Sequence, residues 1–360
     1  MTPTVLLVGE GDLSHGALLR RLADGLSALP GADVHAVTIG RPRGAEALFV
    51  ANLPPLGRFD LQPLRWRLRY SLRARRALSR QRGKVDVALV NTQSCALLSK
   101  RPMRDIPTVL SVDITGRQFA RMDFWGRGPA SPAGERPLAS LERRAYHAAA
   151  KVLAWSEWTA RSIVEDYGVA ADRVEQLHFG VELPPLREPA PGNAGPLRLL
   201  FVGNFTRRKG LDTLLAALSQ AGPGLELHVV SNDPIPAHPA VHVHRGLEPG
   251  GAALRERFGQ SDAFVLPTRA DAVPWVVAEA MAAGLPIVAS PVGAIPEMVG
   301  DAGILVPAGD PAALAGALRQ LRDEPQLLRE LGALARRRAE ERYDQARQLP
   351  KLLELVRACV

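Results

Sequence analysis

One alternation organises this chain, and it occurs twice. In the first half, the short apolar run Val5 to Val8 precedes an amphipathic stretch from Leu18 to Leu29 and a second run from Val34 to Ile39. Further apolar runs follow at Val85 to Val90, Thr108 to Val112 and Val152 to Trp155, with a helical stretch from about Leu138 to Ala150 before the last. Strands separated by helices cannot pair as hairpins, so they call for a parallel sheet covered on both faces. Residues 184–196 hold Pro184, Pro185, Pro189, Pro191, Gly192, Gly195 and Pro196 without periodicity, the composition of a linker. The alternation then restarts: strands at Leu197 to Val202, Leu225 to Val230, Val241 to His244, Ala263 to Pro267, Ile287 to Ser290 and Ile304 to Pro307. Helices are expected from about Gly210 to Ser219, from Trp275 to Ala283, and from Pro311 to the C-terminus. The expected organisation is α/β throughout: a first domain over 1–183, a linker over 184–196, a second domain over 197–342, and a C-terminal helix over 343–360 crossing back to the first. Two such halves should face each other across a central cleft, with ligands at the carboxyl ends of the strands.

Charge is distributed unevenly. The net charge of +8 over 360 residues suggests a generally basic surface. Yet residues 58–84 hold Arg58, Arg65, Arg67, Arg69, Arg73, Arg75, Arg76, Arg80, Arg82 and Lys84 against Asp60 alone, so the remainder is close to neutral. On a helical wheel, Arg65, Arg69, Arg73, Arg76 and Arg80 fall within an arc of about 80°. Leu61, Leu64, Leu68 and Leu72 flank one side of it, and Trp66, Tyr70 and Ala77 the other. Such a stripe can lie on an anionic membrane with Trp and Tyr at headgroup depth. Equally, its apolar flank can pack on a sheet while the arginines face water. Nucleic acid is disfavoured, because no aromatic-interleaved binding module accompanies the charge.

Cys95 and Cys359 lie far apart without metal-ligand spacing, which disfavours a structural zinc site and fits a reducing compartment. The N-terminus has no basic region before its short apolar run, and no stretch reaches the roughly 18 apolar residues of a spanning helix. A cytoplasmic chain with at most peripheral membrane contact is expected. The loop Gly9-Glu10-Gly11-Asp12-Leu13-Ser14-His15-Gly16 has only the first two glycines of a dinucleotide fingerprint, and no acid closes the second strand at Ile39-Gly40. A dehydrogenase is therefore disfavoured. Hydrolase and metalloenzyme motifs are absent from the sequence.

Two blocks carry chemistry. In Phe201-Val202-Gly203-Asn204-Phe205-Thr206-Arg207-Arg208-Lys209-Gly210, a strand leads through a glycine turn and three cations into a helix. Backbone N–H groups, a positive helix end and cations around one point suit a diphosphate; the bland alternative is a solvated basic turn. The second block, Leu266 to Ser290, sets Asp271 in a loop and Glu279 inside an otherwise apolar helix. A carboxylate there needs a partner, which is either a sugar or ribose diol or a salt bridge to Arg207, Arg208 or another cation.

These blocks, followed by Pro291-Val292-Gly293-Ala294-Ile295-Pro296-Glu297 and Gly303-Ile304-Leu305-Val306-Pro307-Ala308-Gly309-Asp310, resemble family-4 glycosyltransferases of the GT-B fold. The resemblance is strong over 197–325, moderate over 150–183 (Trp155-Ser156-Glu157-Trp158 and His178-Phe179-Gly180-Val181-Glu182) and weak before 150. It implies two Rossmann-like domains and a retaining, metal-independent transfer from a nucleotide-diphosphate sugar, with no further cofactor. Carried over by position, Lys209 with Arg208 or Arg207 would hold the diphosphate, Glu279 the ribose, and Asp271 the transferred sugar. Backbone N–H groups around Ala272, Val273 and Pro274 would add to the sugar and phosphate contacts, the turn from Arg245 to Leu247 would lie near the base, and Gly16 would face donor phosphates or acceptor. The acceptor, lipid-linked or membrane-proximal in many relatives, is left unidentified.

The sequence also departs from the family's pattern. Asp271 replaces the usual Glu, and Asn204 replaces an Arg whose task would pass to Arg207 or Arg208. Asp113 stands where a His lines the sugar site, and it would either orient hydroxyls or cap the following segment. These departures keep open a catalytically weak sugar-nucleotide-binding scaffold protein, with a sugar-nucleotide epimerase as a further rival.

Overall fold

The computed structural model describes residues 2–11, 13–40, 62–124, 132–186 and 195–360. The segment 187–194 of the linker, together with Asp12, Arg58, Asp60 and Leu61, lies outside the described residues. The chain divides into two units: Met1–Met122 with Gly128–His178 and Arg347–Val360, and Asp123–Arg127 with Phe179–Ala346.

The first unit runs β1 (Thr4–Glu10), α1 (Leu13–Ser27), β2 (Asp33–Ile39), α2 (Gln62–Arg80), β3 (Val87–Asn91), α3 (Gln93–Ala96), α4 (Pro102–Asp105), β4 (Thr108–Val112), α5 (Gly116–Arg121), α6 (Pro132–Ala148), β5 (Lys151–Ala154), α7 (Glu157–Glu165) and β6 (Val174–Gln176). Its six strands are all parallel, in the order β2-β1-β3-β4-β5-β6. Every residue of β3 and β4 is buried, as expected of strands covered on both faces. The short, half-polar β6 at the edge has no apolar run and went unanticipated.

The second unit runs β7 (Leu197–Val202), α8 (Leu211–Ala221), β8 (Leu225–Val230), β9 (Val241–His244), α9 (Ala252–Gln260), β10 (Ala263–Leu266), α10 (Trp275–Ala282), β11 (Ile287–Ala289), α11 (Ile295–Val299), β12 (Gly303–Leu305), α12 (Pro311–Asp323) and α13 (Pro325–Arg342). Its parallel sheet has the order β12-β11-β10-β7-β8-β9. The chain therefore winds outward from β7 to β9, then returns to the other side of β7 and continues through β10. The last helix, α14 (Gln345–Arg357), begins where the second unit ends and packs within the first. Its Leu349 lies so close to Gly25 of α1 that a β-carbon there would sit 2.4 Å away, and Arg357 donates to the carbonyls of Pro30 and Gly31.

The basic segment forms α2, but its buried side is not the leucine flank. Tyr70, Ala74 and Leu78, four residues apart, enter the core of the first unit, with Trp66 and Ala77 packed against it. The rings of Trp66 and Tyr70 lie 5.3 Å apart. Tyr70 is 1% exposed, so the expectation that it sits at headgroup depth is corrected: the aromatic flank is used by the fold. Arg67 also turns inward. It meets the fully buried carboxylate of Glu142 on α6 at 3.2 Å and lies over the Phe119 ring. Glu142 further accepts from Gly116 N–H at 3.0 Å and from the Tyr167 hydroxyl. Burial raises its pKa, opposed by Arg67 and these hydrogen bonds. Arg73 donates to the Gly40 carbonyl, while Arg75, Arg76 and Arg80 are exposed.

Candidate functional site

The second unit's sheet changes direction between β7 and β10, and ligands of open α/β sheets bind at the carboxyl ends of strands at that point. The loops leaving these two strands carry Lys209 and Arg208, and Asp271, respectively. Lys209 Nζ meets the Asp271 carboxylate directly. Arg208 donates to the Ala270 carbonyl at 2.7 Å and comes within 3.9 Å of Asp271. These three side chains are 12–17% exposed, so two cations and one anion sit half-screened from water at the switch point. Asp271 is thus paired with Lys209 and, at longer range, with Arg208.

Backbone packing fixes the two loops together. Arg269 N–H donates to the Arg208 carbonyl at 2.8 Å, and the Thr268 hydroxyl donates to the same carbonyl at 3.2 Å. The Arg269 guanidinium grips both Asp212 oxygens at 2.6 and 3.0 Å and reaches the Thr213 hydroxyl and the Arg207 carbonyl. Burial acts to raise the Asp212 pKa, but the Arg269 hydrogen bonds and charge, together with backbone N–H donors from Thr213 and Asp212 itself, hold the carboxyl below its ordinary value. Gly210 opens α8 at φ 80°, and a β-carbon there would lie 1.9 Å from the Pro267 carbonyl oxygen. Gly293, at φ 59°, likewise lies against the Asp271 carbonyl. Both positions require glycine for conformation and for space.

Of the two arginines proposed to replace the cation absent at 204, Arg208 is the one turned toward Asp271. Arg207 is exposed and contributes its carbonyl to the Arg269 clamp. Asn204 has a different task. Its Oδ1 accepts from Asn232 N–H at 2.9 Å and from the Ser231 hydroxyl at 3.3 Å, joining the β7 loop to the β8 loop. Asp233 of the β8 loop accepts from Thr206 N–H, and Asn232 accepts from Gly246 N–H, which ties in the turn that carries Leu247.

Beyond Asp271, Ala272 is buried and Val273 half-buried before α10 begins at Trp275. Pro274 has no amide hydrogen, so the expected row of donors from 272 to 274 is interrupted there. Glu279 is half-buried within α10. Gly16 and Asp113 belong to the first unit. A β-carbon on Gly16 would meet the Gly11 carbonyl at 2.6 Å, so this glycine closes the N-terminal loop. Asp113 does not cap the helix that follows. Thr115 does, in a reciprocal box with Gln118, while the Asp113 carboxylate accepts from Ile114 N–H at 2.9 Å. The Arg269 clamp and the Asn204 link were not anticipated from sequence. Their only sequence signal was their place inside the two blocks.

Two doubly wound parallel sheets in tandem, the second with paired cations and a carboxylate at its switch point, define the GT-B class of fold. Residues 16–183 match the family described as Glycosyltransferase Family 4, and residues 196–324 the one described as Glycosyl transferases group 1. The chain belongs to glycosyltransferase family 4. A D-inositol 3-phosphate glycosyltransferase of Paenarthrobacter aurescens is 28% identical over 238 residues, and the match spans 58% of this chain and 58% of that protein's length. Sucrose-phosphate synthase of Thermosynechococcus elongatus superposes with a TM-score of 0.75 at 18% identity, covering 99% of this chain and 98% of that one. Anabaena HepE in complex with UDP gives a TM-score of 0.71 at 16% identity over 99% and 100% of the two chains.

Proposed function

We propose that the protein transfers a sugar from a nucleotide-diphosphate sugar to an acceptor hydroxyl, with retention and without a metal. The observation that carries this reading is the meeting of Lys209, Arg208 and Asp271 where the sheet changes direction. Binding exchanges the contact of Lys209 with Asp271 for one with the diphosphate, and the freed Asp271 carboxylate takes hydroxyls of the sugar. Arg208, already anchored on Ala270, supplies the second positive charge. Glu279 takes the ribose, the turn at Leu247 lies beside the base, and the amides of Ala272 and Val273 add to the sugar and phosphate contacts. The C1–O bond to the diphosphate breaks as the acceptor oxygen attacks the same face, and the acceptor proton passes to the leaving phosphate. Fixed cations stabilise the charge that develops there. Asp113 and Gly16 serve the acceptor side. The complex of HepE with UDP supports a nucleotide donor for this fold.

The acceptor is a hydroxyl compound presented at or near a membrane. Arg75, Arg76 and Arg80 form the outward face of α2 and supply contact with anionic lipid. Among the described residues no helix is long and apolar enough to cross a membrane. The test is calorimetry with UDP-, GDP- and ADP-sugars on wild type, Glu279→Ala and Lys209→Ala. Binding by wild type with loss in both variants is expected, together with donor turnover that Lys209→Ala abolishes. Equal binding by all three proteins, or by none, would sink the reading.

A further inference from the structure

Three of the chain's eight histidines crowd one face of the edge pair β8 and β9. His228 Nδ1 and His244 Nε2 lie 3.0 Å apart, and the His228 ring stacks on both His242 and His244, with centroids 5.2 and 5.3 Å away. Glu226, two residues before His228, reaches His242 Nε2 at 2.6 Å and His228 Nε2 at 3.6 Å. Arg257 of α9 acts on His228 and His244 as a further positive charge. Arg198 of neighbouring β7 is held by Asp262 at 2.7 Å. Among the described residues, no group of three His, Cys, Asp or Glu is arranged to hold a metal ion.

We propose that the cluster is a proton-operated latch: its protonation loosens β9 and, with it, the turn from Arg245 to Leu247. The contact between His228 and His244 needs one proton between two nitrogens. A first added proton is tolerated, because the charged ring can donate to the neutral one. A second makes both nitrogens donors facing each other, beside His242 and Arg257, with Glu226 as the counter-charge. Burial, with the neighbouring positive groups, lowers the pKa of both His228 and His244. A depressed histidine contributes stability above the ordinary imidazole value of about 6.5 and loses it as pH falls below that.

The mechanical consequence follows from topology. Among the described residues, β9 is the last strand of the sheet and pairs only with β8. When it lifts, the bonds from Ser231 N–H to the His244 carbonyl and from Gly246 N–H to Asn232 go with it. Asn232 is bonded to Asn204 in the loop that presents Lys209. The effect on a sugar nucleotide rests on the function proposed above; the loosening of the strand does not.

Hydrogen exchange of the ligand-free full chain at pH 7.5 and 5.5, corrected for intrinsic exchange, tests the latch. Peptides covering 225–247 should open at least tenfold more at pH 5.5, while those of α12 stay unchanged. His228→Asn keeps a donor toward His244 but cannot be charged, and its change should shrink to under threefold. His244→Gln serves if that variant folds poorly. UDP-glucose, whose diphosphate has no titrating group in this range, should bind at least tenfold more weakly to wild type at pH 5.5, and the variant should be spared. Equal protection of wild type at the two pH values, or the same loss in both variants, overturns the latch. Absence of UDP-glucose binding at either pH tells against that donor, while the exchange result still decides the latch.

Discussion

Replacing Gly210 by alanine perturbs the joint on which the site depends. Two costs add. Left-handed backbone at φ 80° penalises an L-residue by about 1–2 kcal/mol. The new methyl would sit 1.9 Å from the Pro267 carbonyl oxygen and 2.7 Å from its carbon, so the β7 and β10 loops must part by more than 1 Å. Overpacking of this kind costs a further ~1–3 kcal/mol. Gly309 supplies the control: it shares a positive φ, at 77°, but has nothing within 4 Å of its β-carbon position. Gly309→Ala should therefore show only the backbone cost. Urea unfolding should place Gly210→Ala below Gly309→Ala by ~1–3 kcal/mol. Because Lys209 and Asp271 sit on the two loops being forced apart, donor turnover should fall on the order of 10²-fold in Gly210→Ala alone. Matching unfolding midpoints for the two variants, or full turnover in Gly210→Ala, would refute the claim that close approach of the loops sets the geometry.

Other consequences are directly measurable. Arg67→Ala leaves Glu142 buried without its cation and should destabilise by about 3 kcal/mol at neutral pH. Exposed Arg76→Ala should stay within about 0.5 kcal/mol of wild type. Burial raises the Glu142 pKa, so the folded state binds its proton more readily than the unfolded one. Stability from this group is then present at low pH and lost as pH rises, and the Arg67→Ala deficit should shrink in unfolding experiments toward pH 4.5. Asn204→Ala removes the acceptor for Asn232 N–H and the Ser231 hydroxyl and should weaken sugar-nucleotide binding about tenfold by calorimetry, with a change in melting temperature of only a few degrees. Charge reversal at Arg76 and Arg80 should reduce flotation with anionic vesicles; unchanged flotation removes membrane contact from the proposal.

The sequence made the strands legible where a buried parallel strand leaves a mainly apolar run, as in β4, β7 and β8, whose limits match those expected; the edge strand β9, Val-His-Val-His, matches its expected limits without being buried. It could not reveal β6, whose Val-Glu-Gln has no such run. The two blocks around Lys209 and Asp271 were visible because glycines, cations and acids stand out at fixed places beside strand ends. Their mutual contact was not, since it depends on β10 returning to the side of β7. The same limit explains α2. Its period was plain, but the inward turn of Arg67 rests on Glu142, 75 residues away, and the buried stripe follows Tyr70, Ala74 and Leu78 rather than Leu64, Leu68 and Leu72.

The division of the chain also sets an order of birth. Apart from 123–127, the second unit is one unbroken stretch ending at Ala346, whereas the first needs Arg347–Val360 to complete it. During synthesis from the N-terminus, the second unit has all of its sequence before the first receives its final helix. The surface of α1 that receives Leu349, and the carbonyls of Pro30 and Gly31 that receive Arg357, must therefore wait in a growing chain while some three hundred later residues are made. Nascent chains should thus present an uncovered patch of α1 around Gly25, and chaperones that read apolar surface would find early purchase there.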